Sequence, residues 1–141
     1  MAPVLNGLET DRLRMRLPSV ADAPIHHRLW TERDPRVPPH RRIDAEGRPT
    51  EEDIAAKLRI QLEASTPVLL TVVVKDSDEV IGYCGVVFDE HASPDEPELV
   101  FELLRAHHNL GYATEAGKAV IEWAAAAGYR RLRATVWDWN V

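Results

Sequence analysis

Arg12-Leu13-Arg14-Met15-Arg16-Leu17 alternates charged and apolar side chains, the period of a strand that buries one face. Pro18-Ser19 ends it, and a helix follows with Ser19 or Asp22 as N-cap. Pro24 favours Asp22, because the proline then falls in the first turn, where its missing N–H costs nothing. Residues 31–49 carry proline and charge without a period and read as a long loop. Thr50 with Asp53 three residues on is a capping pattern, and Ile54, Leu58 and Leu62 repeat every four residues as a second helix ending before Pro67. Val68 to Lys75 and Val80 to Phe88 read as a hairpin turned by Asp76-Ser77-Asp78-Glu79. Gly82 and Gly85 interrupt its second arm, the mark of a bulge or of another backbone or ligand coming close.

Glu98 to Leu104 is the next strand, with Leu99, Phe101 and Leu103 on one face and Glu98, Val100 and Glu102 on the other. A helix from Tyr112 to Ala127 follows. Its inner stripe is Ala113, Ala116, Val120, Trp123 with Ala124, and Ala127, while Glu115, Lys118 and Glu122 line its solvent side. Gly128 is its C-cap, and Arg131 to Val136 is a last strand. The order β-α-α-β-β-β-α-β predicts one α/β domain over residues 1–141, a mixed sheet with helices on both faces.

Composition narrows the function classes. A net charge of −6 disfavours nonspecific nucleic-acid binding and is suited to an amine-bearing or cationic partner. The basic clusters His40-Arg41-Arg42 and Arg130-Arg131-Leu132-Arg133 read as solvated surface. No apolar run approaches the roughly 20 residues of a membrane span, and the first residues lack the pattern of a secretory signal. One cysteine, Cys84, leaves no internal disulfide and no multi-cysteine metal site. A reducing cytoplasm is the expected setting, and Cys84 reads as a small buried hydrophobe.

The stretch His108-Asn109-Leu110-Gly111-Tyr112-Ala113 joins a strand directly to a helix through a glycine turn. Such a turn aims several unpaired N–H groups and the positive end of the helix dipole at one point, which suits phosphate. It lacks the Gly-Lys-Ser/Thr of nucleoside-triphosphate loops and the three glycines of the dinucleotide fingerprint. It resembles instead the Gln/Arg-x-x-Gly-x-Gly/Ala loop of the GNAT superfamily of acyl-CoA-dependent N-acetyltransferases, matching at Gly111 and Ala113. "GYATEA" from Gly111, "LETDRLRMRL" from Leu8, "VIGYCGV" from Val80 and "ELVFELL" from Glu98 are similar, in that order, to the branch typified by RimJ and RimL, the ribosomal-protein alanine acetyltransferases. His108 stands where that loop has Gln or Arg, and Asn109-Leu110 stands where the branch commonly has glycine followed by a basic residue.

The resemblance implies a GNAT-like fold with acetyl-CoA as co-substrate, no metal, and an amine-bearing acceptor. It implies that the stretch His108, Asn109, Leu110, Gly111, Tyr112, Ala113 and Thr114 binds the cofactor, the amides of Asn109 through Thr114 holding its diphosphate. Backbone groups of Phe101 and Leu103 would pair with the pantetheine arm, the amide near Phe101 would polarise the thioester carbonyl, and Asn140 would contact the cofactor. The amine attacks directly, with no enzyme nucleophile. Glu98 and Glu102 are the candidate bases, since carboxylates in mid-strand have few structural uses. They lie four residues apart, roughly 13 Å between Cα atoms, too far for a tight acid–base pair. Glu98 is favoured as the one farther from the diphosphate end. His91 is a secondary candidate, and Asp138, Trp137 and Trp139 lie close to the end of the sequence.

Members of this family continue past the asparagine with a serine-bearing helix and a final hairpin that often supplies a general acid. The sequence here ends at Val141. The expectation is therefore a C-terminally shortened member whose last strand is an open edge for homo-oligomerisation. The alternative is a noncatalytic acyl-CoA-binding or assembly module.

Overall fold

Leu13 and Met15 alternate with Arg14 and Arg16, and the first pair is fully buried. The computed structural model describes residues 5–64, 69–88 and 96–134, and in it this alternation is β2, Leu13–Arg16. A three-residue strand, β1 (Gly7–Glu9), folds back on it with Leu8 opposite Met15. β1 has no signature in the sequence, because three residues carry no period. β3 (Leu69–Val74) and β4 (Glu79–Val87) form the expected hairpin, and β5 (Glu98–Leu103) pairs with β4. The sheet order is β1-β2-β3-β4-β5, every neighbour antiparallel.

The predicted mixed sheet appears among the described residues as this antiparallel sheet plus one parallel bridge, Glu98 to Arg133. There the Leu99 N–H donates to the Arg133 carbonyl at 2.7 Å and the Arg133 N–H to the Pro97 carbonyl at 2.9 Å. The rest of the predicted strand Arg131–Val136 runs into residues outside the described part.

Three helices cover the two faces. α3 (Tyr112–Ala126) lays Ala116, Val120 and their neighbours on a core of Leu13, Met15, Leu70, Val72, Cys84, Val86 and Leu103. Its C-terminus follows the expected glycine stop: Gly128 has φ +96°, and the Tyr129 and Gly128 amides reach back to the carbonyls of Ala124 and Ala125. On the other face α1 (Ala23–Thr31) and α2 (Glu51–Ala64) pack together through Ala23, Ile54 and Leu58, with Trp30 against them. The Thr50–Asp53 capping box is present in both directions, at 2.9 and 3.1 Å.

α1 starts as read, with Asp22 at the N-cap position and Pro24 in the first turn, but the side-chain capping differs. Ser19 is the side-chain cap, on a short 3-10 turn over Val20–Asp22, and Asp22 makes no capping bond to α1. Its carboxylate is buried and committed instead to Arg16, the Ser19 N–H and Thr71. A buried charge takes the strongest donors in reach, and a guanidinium outranks a helix amide.

Gly82 sits at a bulge where Val72 and Val73 of β3 oppose Gly82 and Val80, leaving Ile81 extra. A Cβ there would lie 2.0 Å from the Glu102 carbonyl oxygen, so only glycine lets β5 approach β4 this closely.

Candidate functional site

The turn into α3 contains two left-handed residues, Asn109 (φ +63°) and Gly111 (φ +83°). Gly111 is the N-cap and supplies no side-chain cap. The Glu115 N–H is the first to close an intrahelical bond, to the Gly111 carbonyl at 3.0 Å. The amides of Tyr112, Ala113 and Thr114 therefore emerge together at the positive end of a 15-residue helix, with no partner among the described residues.

His108 opens this turn and secures it. Its N–H donates to the Arg105 carbonyl, and its ring Nε2 lies 2.7 Å from the Leu103 carbonyl, which makes Nε2 the protonated nitrogen. The ring ties the turn to the end of β5, and the N–H ties it to the short 3-10 turn Arg105–His107.

Arg12 and Glu115, which no local pattern in the sequence marks, hold the turn from the side. Arg12 donates from Nη1 to the Leu110 carbonyl (3.0 Å) and from Nε to Glu115 Oε1 (2.7 Å). Its guanidinium carbon lies 4.4 Å from the centre of the Tyr112 ring. Glu115 also accepts from the Arg12 N–H (2.9 Å) and from the Thr10 hydroxyl. It was expected on the solvent side of α3. The β1–β2 turn reaches it there, and a contact over 103 residues leaves no local signal.

Beside this turn runs the outer edge of β5. The Leu104 N–H donates to the Ile81 carbonyl at 2.8 Å, and Leu104 opposite Ile81 continues the β4–β5 register. Antiparallel pairing alternates, so Glu98, Val100 and Glu102 bond inward to β4, and Leu99, Phe101 and Leu103 point their N–H and C=O groups outward. Leu99 uses its outward N–H on Arg133, and His108 takes the Leu103 carbonyl. The Phe101 N–H and C=O and the Leu103 N–H have no partner among the described residues. The Phe101 side chain is half exposed on the same edge, whereas Leu103 is in the core.

On the α1–α2 face the two carboxylates of β5 part company. Glu102 is gripped by Arg33, Nε to Oε2 at 2.9 Å and Nη2 to Oε1 at 2.8 Å, and accepts the Tyr83 hydroxyl at 3.1 Å. Arg33 lies in the loop after α1, and its Nη1 donates to the Arg41 carbonyl at 2.7 Å. Glu102 thus ties residues 31–49 to the sheet, and as a free base it is the weaker candidate. Glu98 carries no such grip among the described residues.

The Tyr83 ring stacks on His26 of α1 at 5.5 Å, nearly parallel. Burial, then the Glu102 charge, raises the Tyr83 hydroxyl above its ordinary range, so it stays a donor. Burial lowers His26, keeping the imidazole neutral at pH 7. Cys84 is buried, its thiol pushed up to about 12 by burial, which makes it inert packing rather than a nucleophile. His91, Trp137, Asp138, Trp139 and Asn140 lie outside the described residues.

Known structures share this arrangement of sheet and helices. An acetyltransferase of the GNAT family from Bacillus anthracis superposes with a TM-score of 0.72 at 21% identity, over 95% of this chain and 75% of its own. The ribosomal-protein-S5-alanine acetyltransferase from Vibrio fischeri gives 0.65 at 16%, over 91% and 72%. A GNAT-family acetyltransferase from Streptococcus pneumoniae gives 0.63 at 23%, over 91% and 77%. No curated protein sequence matches significantly. The family described as "Acetyltransferase (GNAT) domain" matches residues 12–141, from the strap at Arg12 through the open strand edge and the glycine turn. The chain belongs to the GNAT acetyltransferase domain family.

Proposed function

We propose that this protein transfers an acetyl group from acetyl-CoA directly to a primary amine, a protein N-terminus or a small-molecule amine. The observation that carries the reading is the coincidence of two sets of uncommitted backbone donors. One is the cluster of amides at Tyr112, Ala113 and Thr114; the other is the outward N–H groups of Phe101 and Leu103. The first fits a diphosphate. The second fits an amide-bearing arm laid along the strand edge, as an added strand would be. A side chain on Gly111 would crowd this turn, its Cβ 3.2 Å from Arg12 Nη2.

Bound there, acetyl-CoA supplies the activated thioester. The chain's own groups do the rest. Backbone amides from Asn109 to Thr114 hold the diphosphate, Phe101 and Leu103 orient the arm, and the Phe101 N–H offers a hydrogen bond to developing negative charge on the carbonyl oxygen. As the amine nitrogen bonds to the acetyl carbon, Glu98 receives the amine proton. The C–S bond breaks, and the coenzyme A thiolate leaves and takes a proton from solvent. The task of Glu98 is modest for a protein N-terminus, whose pKa near ~8 leaves a neutral fraction at pH 7, and heavier for a lysine near ~10.4. Two of the neighbours bear ribosomal-protein acetyltransferase names, which supports an N-terminal amine as acceptor.

The test is thiol release from acetyl-CoA against a panel of amines that includes N-terminal peptides. Acceptor-dependent thiol from folded protein supports the reading. Calorimetric binding of acetyl-CoA with no thiol from any amine would replace it with an acyl-CoA-binding module.

A further inference from the structure

The turn that presents the α3 amides is anchored at its start by His108, but nothing local holds its far end at Gly111 among the described residues. Asn109 occupies a left-handed conformation that a residue with a Cβ seldom takes, and the N-cap Gly111 brings no capping side chain. That far end is held by residues about a hundred positions away. We infer that Arg12 and Glu115 form a latch that sets the anion-binding turn, acting as positioning residues for the diphosphate of acyl-CoA. The inference rests on the reading above that this turn takes that diphosphate.

The latch closes on three points of the turn at once. Arg12 Nη1 holds the Leu110 carbonyl at 3.0 Å, so the peptide preceding Gly111 cannot rotate freely. The same guanidinium covers the Tyr112 ring at 4.4 Å and pairs through Nε with Glu115 at 2.7 Å. Glu115 is in turn fixed to the β1–β2 turn by the Arg12 N–H and the Thr10 hydroxyl. Residues 110, 112 and 115 bracket the unpaired amides, so the amides inherit the position of the hairpin. The arrangement raises the fraction of molecules whose turn is already competent, and apparent affinity scales with that fraction.

A second role for Arg12 makes the opposite forecast. Were it a cation attracting the diphosphate, Glu115 would be a competitor, and removing Glu115 would tighten binding. For a latch, removing either partner weakens it. Lysine at position 12 keeps the charge but lacks the planar fork that reaches two acceptors.

The experiment is calorimetric titration of the full chain with coenzyme A, for wild type, Arg12→Ala, Arg12→Lys and Glu115→Ala. It is paired with hydrogen exchange at the residue 115 amide in the free proteins. That amide's bond to the Gly111 carbonyl closes the first turn. The latch predicts about tenfold weaker binding in all three variants, as when the competent fraction falls to roughly one tenth. It also predicts faster exchange at residue 115, and a raised KM for acetyl-CoA with kcat unchanged at saturation. Glu115→Ala introduces a strong helix former and keeps the test available should Arg12→Ala fail to fold. Tighter binding by Glu115→Ala, full rescue by Arg12→Lys, or unchanged exchange and affinity in every variant overturns the latch. No binding by wild type overturns the site reading itself, and the positioning role with it.

Discussion

Arg33 grips Glu102 through two hydrogen bonds of 2.9 and 2.8 Å, joining the loop after α1 to the C-terminal end of β5. The Arg33 side chain is 11% exposed and that of Glu102 25%, so each charge depends on the other for its solvation. With both carboxylate oxygens engaged by Arg33 and Tyr83, Glu102 is poorly placed to meet a substrate amine. Glu102→Ala should lower stability by about 1–3 kcal/mol, below the full cost of breaking a wholly buried pair because both groups keep some water. Urea unfolding measures this, and Arg33→Ala should cost a similar amount. A Glu102→Ala protein as stable as wild type would show that the loop is not anchored through this pair.

Asp22 sets an acid limit on stability. Burial pushes its carboxyl pKa up, but hydrogen bonds from Arg16, the Ser19 N–H and Thr71, with the Arg16 charge, outweigh that and hold it below the ordinary value. A depressed folded pKa means that the stabilisation is fully present above the unfolded value near ~3.9 and is lost as pH falls through the folded value. The urea midpoint should therefore be flat with respect to this group above about pH 5 and fall below about pH 4. Asp22→Asn should be less stable at pH 7 and should lose part of that acid-side slope. An unaltered slope in the variant would assign the acid sensitivity to other carboxylates.

Gly82→Ala tests the closeness of β4 and β5. The added methyl would lie 2.0 Å from the Glu102 carbonyl oxygen and 2.9 Å from the Leu103 Cα, both backbone atoms that cannot swing aside. Overpacking of this kind costs typically about 1–3 kcal/mol, and a backbone clash belongs at or above the upper end. Thermal unfolding reads the loss. Because β5 carries the open edge on its far side, Gly82→Ala should also weaken coenzyme A binding. A variant with wild-type stability would contradict the bulge geometry.

Local signals in the sequence were readable where one segment decides its own fate. The Thr50–Asp53 box, the glycine stop at Gly128 and the alternation of Leu13 and Met15 each depend on neighbours within a turn or two, and each appears as read. Phe101 and Leu103 were singled out through the resemblance, and the β4–β5 register independently points their backbone groups outward. What stayed invisible were polar pairings across the fold. Arg12 meets Glu115 over 103 positions and Arg33 meets Glu102 over 69. Charged side chains on strands and loops carry no period, so neither partner announces the other. Asp22 shows the same blindness: it stands at the N-cap of α1 as read, but its buried side chain is claimed by Arg16 instead of the helix amides.

Glu98 is the remaining carboxylate on the α1–α2 face of β5, at the end where Arg133 joins the strand. If it takes the amine proton, Glu98→Gln keeps size and polarity while removing the base. The acetylation rate at pH 7 should fall about 10- to 100-fold, at or below the low end of the range for general base catalysis because an N-terminal amine is already partly neutral. The deficit should shrink as pH rises and the acceptor loses its own proton, and it should be larger for a lysine-type amine than for an N-terminal peptide. Coenzyme A affinity should not change, since Glu98 lies on the opposite face of the strand from Phe101 and far along it from the turn at Gly111. A Glu98→Gln enzyme with the wild-type pH–rate profile would move the proton acceptor elsewhere, and His26, neutral beside Tyr83, would be the next group to substitute.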